Sequence, residues 1–517
     1  MDFGALLAAV SRWSKTRLEP LLGASGNAGK ARDDDGGDGA VAAATAARNP
    51  CLLYSAVFVG GSLATFMIAL AIMSPESSLS KDSGRWQYAR GSQGIRQRGL
   101  VFSRQGAGGV NGPWDSTAPL VCLYDRNSER TKEPVRYQML KHLPARYCSH
   151  LVYGFVSPAD LRNSTSKSAA AGCVTEAKRR LRQMVTLKKH SPELKVLVAL
   201  GGPKVDSKSF SDELITEGRR EHFSQRVVHW LKSLELDGLL VQWMFPGQGN
   251  GRPSDRQNLP RLMAQLRQAF KASPQNYRRP TAQAENSAWQ LLIYMPHDDS
   301  AVDRGYEVRA ISRSVNYVVM GTHGYTEPGH AEVTSPLFNR PPSPGRSAAN
   351  SVHELVALLV DRGAPRYKLL VGVSATGVSY SLARGETSVR APLRSGDAKG
   401  GPGPFTQTPG KLAYFEICYN VYRNSWARVF DAPTSCPYAY HGLEWVSYDD
   451  SDSLRAKVAF LRNQSLGGAA LLDVAADDYM GMCGPRNVLA RTLYSALRNY
   501  VAKAPHQQKS VHRWRKG

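Results

Sequence analysis

The chain has 517 residues, and its content of 42% hydrophobic, 9% aromatic and 21% charged residues excludes a wholly disordered or fibrous protein. Lys and Arg number 66 against 43 Asp and Glu, and the formal net charge of +23 is compatible with a nucleic acid, an anionic membrane or an acidic glycan as partner. The excess of positive charge is concentrated in residues 81–104 and 503–517. These segments carry no zinc-finger spacing, Walker loop or RNA-binding aromatic motif, so no nucleic-acid partner is expected.

The amino-terminal residues 1–50 are predicted to form a cytoplasmic tail of low complexity. Six cations and six anions cancel within this stretch, and residues 22–47 consist mainly of Gly, Ala and Asp. Such a composition has too few large apolar side chains to pack a core.

Residues 51–73 form a run of 23 residues without a charged side chain. A helix of this length crosses a hydrocarbon layer of about 30 Å. A cleaved signal peptide would begin near the first residue, whereas fifty mostly polar or small residues precede this run. We therefore predict a transmembrane signal anchor; the alternative is a buried core helix, although these are ordinarily shorter.

Cysteines and glycosylation sequons suggest the orientation of this span. The Lys and Arg counts at its two ends are similar, so the positive-inside rule does not decide. Beyond Cys51, six cysteines lie on the carboxyl side, an even number suited to disulfides in an oxidising compartment. Asn163 and Asn463 begin N-glycosylation sequons on the same side. The sequence thus predicts a single-pass type II membrane protein whose carboxyl-terminal domain is luminal or extracellular.

The rest of the chain divides by composition. Residues 74–117 are rich in Ser, Gly and Arg and are predicted to be a flexible basic stem, and residues 503–517 a basic tail. Between them, residues 118–502 alternate short apolar runs with longer amphipathic segments. The predicted strands are Leu120–Tyr124, His150–Phe155, Lys195–Leu200, Gly238–Trp243, Leu291–Met295, Val315–Met320, Leu369–Val373 and Ala469–Val474. The predicted helices include Val174–Lys189, Arg219–Leu234, Leu259–Ala272 and Leu454–Asn463.

Eight continuous apolar strands separated by helices predict an α/β fold, a (β/α)8 TIM barrel with a parallel sheet covered on both faces. The long gap between the seventh and eighth strands contains alternating, aromatic-rich pieces. An α+β insertion over about residues 375–445 would fill it.

The fourth predicted strand carries the motif on which a family resemblance rests. Residues 237–246 read DGLLVQWMFP, which resembles the DGxDxDWExP signature of the chitinases of glycoside hydrolase family 18. The resemblance extends over residues 119–500, and includes Ala199-Leu-Gly-Gly, Leu412–Cys418 and Trp445–Asp450. It implies a TIM barrel with its site at the carboxyl ends of the strands.

The resemblance also implies that the catalytic groups are missing. Where the family has its glutamic acid, the proton donor, this chain has Met244, and where the family has the aspartate that orients the substrate's N-acetyl group it has Gln242. Leu240 replaces a further motif aspartate, and only Asp237, largely structural in the family, remains. Because a positioned general acid contributes about 10²–10⁴ in rate, hydrolysis by this mechanism is expected to be negligible. The alternative is a relocated carboxylate such as Asp125 or Glu327.

The sugar-contacting positions have changed as well. The family's Tyr-Asp pair after the sixth strand is absent where Gly321-Thr322-His323 follows Met320, and its stacking tryptophan corresponds to Leu472. The remaining ligand-binding candidates are Trp243, Tyr294, Met320 and Tyr325. A lone His323, and the acidic pairs Asp449-Asp450 and Asp477-Asp478, are interpreted as structural, and no metal or cofactor is expected.

Two disulfides are implied by the resemblance: Cys122 with Cys148, and Cys418 with Cys483. Cys173 and Cys436 have no family counterpart, and either an additional bridge or two free thiols is compatible with the sequence.

These features together predict a membrane-anchored, catalytically inactive chitinase-like protein that binds chitin, a chitooligosaccharide or another glycan, or a protein receptor. A residual hydrolase is the alternative enzyme hypothesis. A Golgi resident is a third hypothesis, because many Golgi glycosyltransferases share this layout of tail, span, stem and globule, an analogy of topology alone.

Overall fold

The computed structural model describes residues 117–127, 135–162, 169–273, 288–326, 329–340, 351–394 and 398–502. The predicted tail, span and stem, Asn163, Glu327 and the basic tail lie outside the described residues, as does the side chain of Cys173. None of the helices in these described ranges combines the length and the apolar composition that a membrane span requires.

Eight parallel strands close into a barrel, each paired with its neighbours and the last with the first. Nearly every residue in them is buried, because helices cover the outside and side chains fill the inside. The predicted (β/α)8 architecture is therefore confirmed. The strands are β1 Leu120–Asp125, β2 His150–Val156, β3 Lys195–Gly201, β4 Gly238–Gln242, β5 Gln290–Met295, β6 Tyr317–Gly321, β7 Leu369–Ser374 and, after five strands of an insertion, β13 Gly468–Leu472.

Side chains on each barrel strand alternate between two cores. An inner core fills the barrel and includes Leu240, Tyr294 and Leu472. An outer core lies between strands and helices and includes Trp243 and Met320. This period of two decides which residues can face the barrel axis.

Helices surround the barrel, several of them extending further toward the amino terminus than predicted. The helix predicted from Leu259 begins at Asp255, and the one predicted from Leu454 begins at Ser451, after the capping residue Asp450. Polar first turns lie outside the apolar periodicity, and in the second of these helices the Asp450 side chain accepts the N–H groups of Asp452 and Ser453. The helices are α1 Met139–His142, α2 Pro158–Arg162, α3 Ala169–Thr186, α4 Ser207–Leu214, α5 Glu217–Ser233, α6 Asp255–Ala272, α7 Asp299–Gly305, α8 Val308–Ser314, α9 Val352–Asp361, α10 Tyr414–Arg423, α11 Ser451–Asn463 and α12 Val488–Leu497.

Two strand boundaries differ from the prediction for local reasons. The sixth strand starts at Tyr317 rather than Val315, because Val315 N–H ends α8 by donating to the Ile311 carbonyl, and the Asn316 side chain accepts from the Leu291 N–H. The eighth strand ends at Leu472 rather than Val474, because Asp473 has φ +66°, a left-handed conformation that leaves the strand.

An antiparallel five-stranded sheet and α10 lie between β7 and β13. Its strands are β8 Thr376–Ser381, β9 Lys411–Ala413, β10 Ala427–Asp431, β11 Cys436–His441 and β12 Glu444–Ser447. Their spatial order is β10-β11-β12-β8-β9, and Tyr380, Tyr438 and Trp445 pack the core of the sheet. The insertion was predicted in this place from the gap between strands.

Both disulfides implied by the family resemblance are formed, Cys122–Cys148 and Cys418–Cys483. The first ties β1 to the segment preceding β2, and the second ties α10 of the insertion to the segment after β13. Cys436 is a buried free thiol, and burial raises its pKa to about 12. It is therefore not a reactive thiolate at neutral pH.

A buried histidine at the amino-terminal end of the barrel predicts acid sensitivity. His150 is 4% exposed, its Nδ1 lies 2.8 Å from Ser149 Oγ, and its Nε2 has no hydrogen-bond partner among the described residues. Burial, and then the Lys195 cation, lower the pKa of His150 well below 6.5. The Tyr317 ring meets the imidazole edge-on from β6.

Because the folded state disfavours protonated His150, its contribution to stability is present above pH 6.5 and is lost as the pH falls below that value. The expected slope is about 1.4 kcal/mol per pH unit for one proton. Urea unfolding of a His150→Leu variant between pH 7.5 and 5 should show a shallower loss of stability than the unsubstituted chain. The other histidines with lowered pKa values remain in both proteins, so parallel curves would contradict this prediction.

Candidate functional site

The candidate site lies at the carboxyl ends of the barrel strands, here called the mouth. At the end of β4, the side chains of Gln242 and Met244 lie together, with Gln242 Nε2 3.6 Å from Met244 Sδ. Gln242 is 6% exposed, and its Oε1 is buried without a hydrogen-bond partner among the described residues. Met244 is partly buried and packs against the inner core. The end of β4 therefore holds a buried amide oxygen beside a thioether.

Neighbouring groups fix the backbone of this strand end. The Tyr306 hydroxyl donates to the carbonyl oxygens of Trp243 and Met244, the latter at 3.2 Å. Gly202 N–H donates to the Gln242 carbonyl at 2.8 Å. A Cβ on Gly201 would lie 2.2 Å from that same carbonyl oxygen, so only glycine allows this approach.

Two of the predicted ligand-binding residues face away from the mouth. Trp243 is 2% exposed, stacks on Phe210 with ring centroids 4.9 Å apart, and donates from its indole to Ser207 Oγ at 2.7 Å. Met320 is fully buried in the outer core. Strand alternation explains both placements, because Trp243 follows inward-facing Gln242 and Met320 precedes inward-facing Gly321. Neither side chain is carried into the proposed binding site.

The other degenerate motif positions are structural. Leu240 is 1% exposed inside the barrel, so an apolar side chain fills the place of an acid. Asp237 accepts the Val196 N–H at 2.7 Å and forms an ion pair with Lys188 at the opposite end of β4. Its carboxylate therefore ties β3 to β4 far from the mouth.

The ends of β5 and β6 supply uncharged polar groups. Tyr294 is buried, which raises the pKa of its hydroxyl, and its Oη would lie 2.1 Å from a Cβ placed on Gly321. The His297 imidazole hydrogen-bonds the Gly321 backbone, and its ring centroid lies 4.3 Å from that of Tyr325. Burial lowers the pKa of His297, whereas Asp298 and the Gly321 bond oppose this shift.

His323 adjoins this group on the segment after β6. Burial, followed by the nearby His297, lowers its pKa to about 3, so the imidazole is neutral at neutral pH. Its Nδ1 is buried and has no partner among the residues that the structure describes. Among these residues, no hydrogen bond at Nδ1 supports the structural role interpreted for His323 from the sequence.

The acidic residues singled out from the sequence hold loops in place. Asp477 accepts the N–H groups of Leu489 and Ala490 at the start of α12, and Asp478 accepts three consecutive N–H groups from Gly481 to Cys483. Asp478 also lies near the sulfurs of Cys418 and Cys483, but those sulfurs are joined in a disulfide and are not thiolate ligands.

Asp125, one of the two carboxylates considered for a relocated acid, lies at the end of β1. Its Oδ1 accepts from the backbone and side-chain nitrogens of Asn127 at 2.9 and 2.8 Å. These bonds stabilise a turn and give the carboxylate a structural role. Glu327, the other candidate, lies outside the described residues.

Sequence reasoning missed two residues of the mouth. Phe245, next to Met244, is 46% exposed, and His297 packs against Tyr325. Their positions two residues beyond the ends of predicted strands four and five were a usable signal, because barrel enzymes build their sites from residues at the carboxyl ends of strands. What the β4 end offers chemically is hydrogen bonding and apolar contact, because neither Gln242 nor Met244 can donate a proton as an acid.

Comparisons with known proteins agree with this fold. Residues 119–477 match the family model "Glycosyl hydrolases family 18". Mouse "Chitotriosidase-1" is 30% identical over 408 residues, covering 77% of this chain and 82% of that protein. Human "Chitinase-3-like protein 2" is 29% identical over 374 residues, covering 71% and 88%.

Solved structures give the same result. A Group IV chitinase from Ostrinia furnacalis superimposes with a TM-score of 0.64 at 24% identity, covering 74% of this chain and 99% of that one. Human YKL-39, described as a pseudo-chitinase with retained chitooligosaccharide binding properties, superimposes with a TM-score of 0.61 at 26% identity, covering 74% and 99%. With the barrel, its insertion and the motif position on β4, these matches show that the chain belongs to glycosyl hydrolase family 18.

Proposed function

We propose that this protein is a catalytically inactive member of its family that binds N-acetylated chitooligosaccharides at the mouth. The observation that carries the proposal is the pair at the end of β4, where Met244 occupies the acid position and Gln242 presents a buried amide oxygen without a partner among the described residues. The first removes the proton donor, and the second offers an acceptor for a ligand N–H. The pseudo-chitinase YKL-39, which retains chitooligosaccharide binding, supports the combination of lost catalysis with retained glycan binding.

The mouth favours a neutral ligand. The mouth residues that come from β4, β5 and β6 are uncharged. The His323 imidazole, on the segment after β6, is neutral as well. A buried acceptor left unpaired costs about 1–3 kcal/mol, and an acetamido N–H removes that cost. Exposed Phe245 and the partly buried Phe155 provide aromatic rings against which a sugar ring can pack.

Titration calorimetry of the full-length chain with chitotetraose and with its fully deacetylated counterpart tests this proposal. We expect the N-acetylated ligand to bind at least about tenfold more tightly, and Gln242→Leu to weaken it by about tenfold. Met244→Leu, a change of similar volume that keeps the amide oxygen, is the matched control and should alter affinity by less than about threefold. Equal affinity for both ligands, or an unaltered Gln242→Leu variant, would refute the assigned role of Gln242.

The proposed location is a membrane, with a single type II span over residues 51–73 and the barrel in the secretory lumen or outside the cell. The uncharged run of 23 residues and the two disulfides of the barrel support this arrangement. Asn463, exposed at the end of α11, is accessible for glycosylation. The protein should resist alkaline carbonate extraction, and its barrel should be protected from protease in intact vesicles; recovery in the soluble fraction would overturn the anchor.

A further inference from the structure

A small cavity lined by both polar and apolar side chains adjoins the mouth where the segment after β6 meets the insertion. Its volume is about 10 Å³, enough for one water-sized group. Its polar lining comes from both parts of the fold: Tyr325, Thr326, Glu332, Asn339, Arg340 and Thr434. Tyr325 also packs against His297, so this residue contacts both the cavity and the mouth.

Hydrogen bonds hold the walls of the cavity in register. Leu337 N–H donates to the Thr434 carbonyl at 2.8 Å, which joins the segment after β6 to the turn between β10 and β11. Arg340 forms an ion pair with Asp431, whose carboxylate also accepts the Thr434 N–H at 3.2 Å. The segments that line the cavity are therefore connected by hydrogen bonds and an ion pair.

Arg340 has an unused donor. Its Nε is buried and has no hydrogen-bond partner among the described residues, although the side chain as a whole is 27% exposed. A buried guanidinium N–H without an acceptor is unfavourable, so an oxygen atom brought into the cavity would be stabilised there.

The charges around the cavity favour a neutral oxygen-containing group over an anionic one. Asp431 already balances the Arg340 cation, and the Glu332 carboxylate, 5% exposed, lines the same space while facing Arg390 at 3.8 Å. A carboxylate or sulfate group would meet the repulsion of Glu332. A hydroxyl can accept a hydrogen bond from Arg340 and donate one to a carboxylate or threonine oxygen. It therefore suits both the donor and the acceptors that line the cavity.

We propose that this cavity accepts the hydroxyl oxygen of one hydroxymethyl group of the glycan bound at the mouth, with Arg340 Nε donating to that oxygen. Among the hydroxyls of a pyranose, the hydroxymethyl hydroxyl projects furthest from the ring, and its single oxygen matches a cavity with room for one water-sized group. This inference rests on the proposed function. It adds Arg340 as a residue that contacts the ligand outside the end of β4.

The test combines one protein change with one ligand change. Arg340→Lys keeps a cation for Asp431 but removes Nε, and chitotetraose with its C6 hydroxyls replaced by hydrogen removes the acceptor. By calorimetry with the full-length chain, each change alone should weaken binding about tenfold, and both together little more than either one. Arg394→Lys, at an exposed arginine of the insertion, is the control and should change affinity less than twofold.

The outcomes separate the two proposals. If chitotetraose binds but the two changes act additively, or the deoxy ligand binds unchanged, the subsite is refuted while the proposed function stands. Tighter binding of a C6-carboxylated tetramer would refute the choice of a hydroxyl over an anion. If the unsubstituted chain binds no chitooligosaccharide, both proposals fail.

Discussion

Replacing Met244 by Glu together with Gln242 by Asp should give the protein measurable chitinase activity. A positioned general acid contributes about 10²–10⁴ in rate, and we expect the double variant to exceed the unsubstituted chain by at least about 10² on a chromogenic chitooligosaccharide. The Tyr306 hydroxyl bonds the Trp243 and Met244 carbonyls, so the backbone that would present the new acid is already fixed. Met244→Glu alone should gain less, because no carboxylate then orients the N-acetyl group.

The choice of these two positions follows from burial. Leu240 is 1% exposed within the inner core, and an aspartate there would place a carboxylate in an apolar barrel at a cost of several kcal/mol. Met244→Gln, polar but without an acidic proton, is the matched control and should remain inactive. Turnover by the unsubstituted chain that disappears in an Asp125→Asn variant would instead support the relocated-carboxylate hypothesis.

Breaking the buried ion pair between Lys457 and Asp449 should destabilise the fold more than any surface change. Lys457 is 1% and Asp449 3% exposed. Lys457 Nζ also donates to Ser335 Oγ at 2.7 Å, and Ser453 Oγ donates to Asp449 at 2.7 Å. Lys457→Met leaves the carboxylate buried without its cation, for which we expect a loss of about 3–5 kcal/mol in the free energy of unfolding.

Urea unfolding followed by tryptophan fluorescence measures this loss. A Lys457→Met/Asp449→Leu double variant should lose clearly less than the sum of its single variants, because it leaves no uncompensated charge. Arg455→Met, which breaks an exposed i,i+3 pair with Asp452 on the same helix, is the control and should cost at most about 1 kcal/mol. A loss below about 1 kcal/mol for Lys457→Met would show that the pair contributes no more than a surface pair.

The ion pair also connects to the mouth. Ser335, which receives the Lys457 bond, donates to the Thr322 carbonyl at 2.6 Å, and Thr322 precedes His323. The bond from Lys457 to Ser335 joins residues 122 positions apart, and through Thr322 the network extends from α11 to the residue that follows β6. Its loss is therefore expected to loosen the segment that carries His323 as well as to reduce stability.

The positions of the barrel strands could be predicted from the sequence because each strand is buried on both faces and is read as a continuous apolar run. The same property hid which side chains face inward, since apolar residues occur on both faces. Trp243 was selected as an aromatic residue within the motif, although Leu240, Gln242 and Met244 share one parity and Trp243 the other. Strand alternation alone would have assigned it to the outer core.

By itself, the sequence determined the barrel, the place of the insertion and the absence of an acid at the end of β4, because these depend on residue identity and on periodicity along the chain. Only the tertiary structure decided that Gln242 lacks a partner, that His297 meets Tyr325, and that Arg340 pairs with Asp431, 91 positions away, beside a cavity. These features depend on which side chains folding brings within a few ångströms, and no local pattern in the chain records that distance.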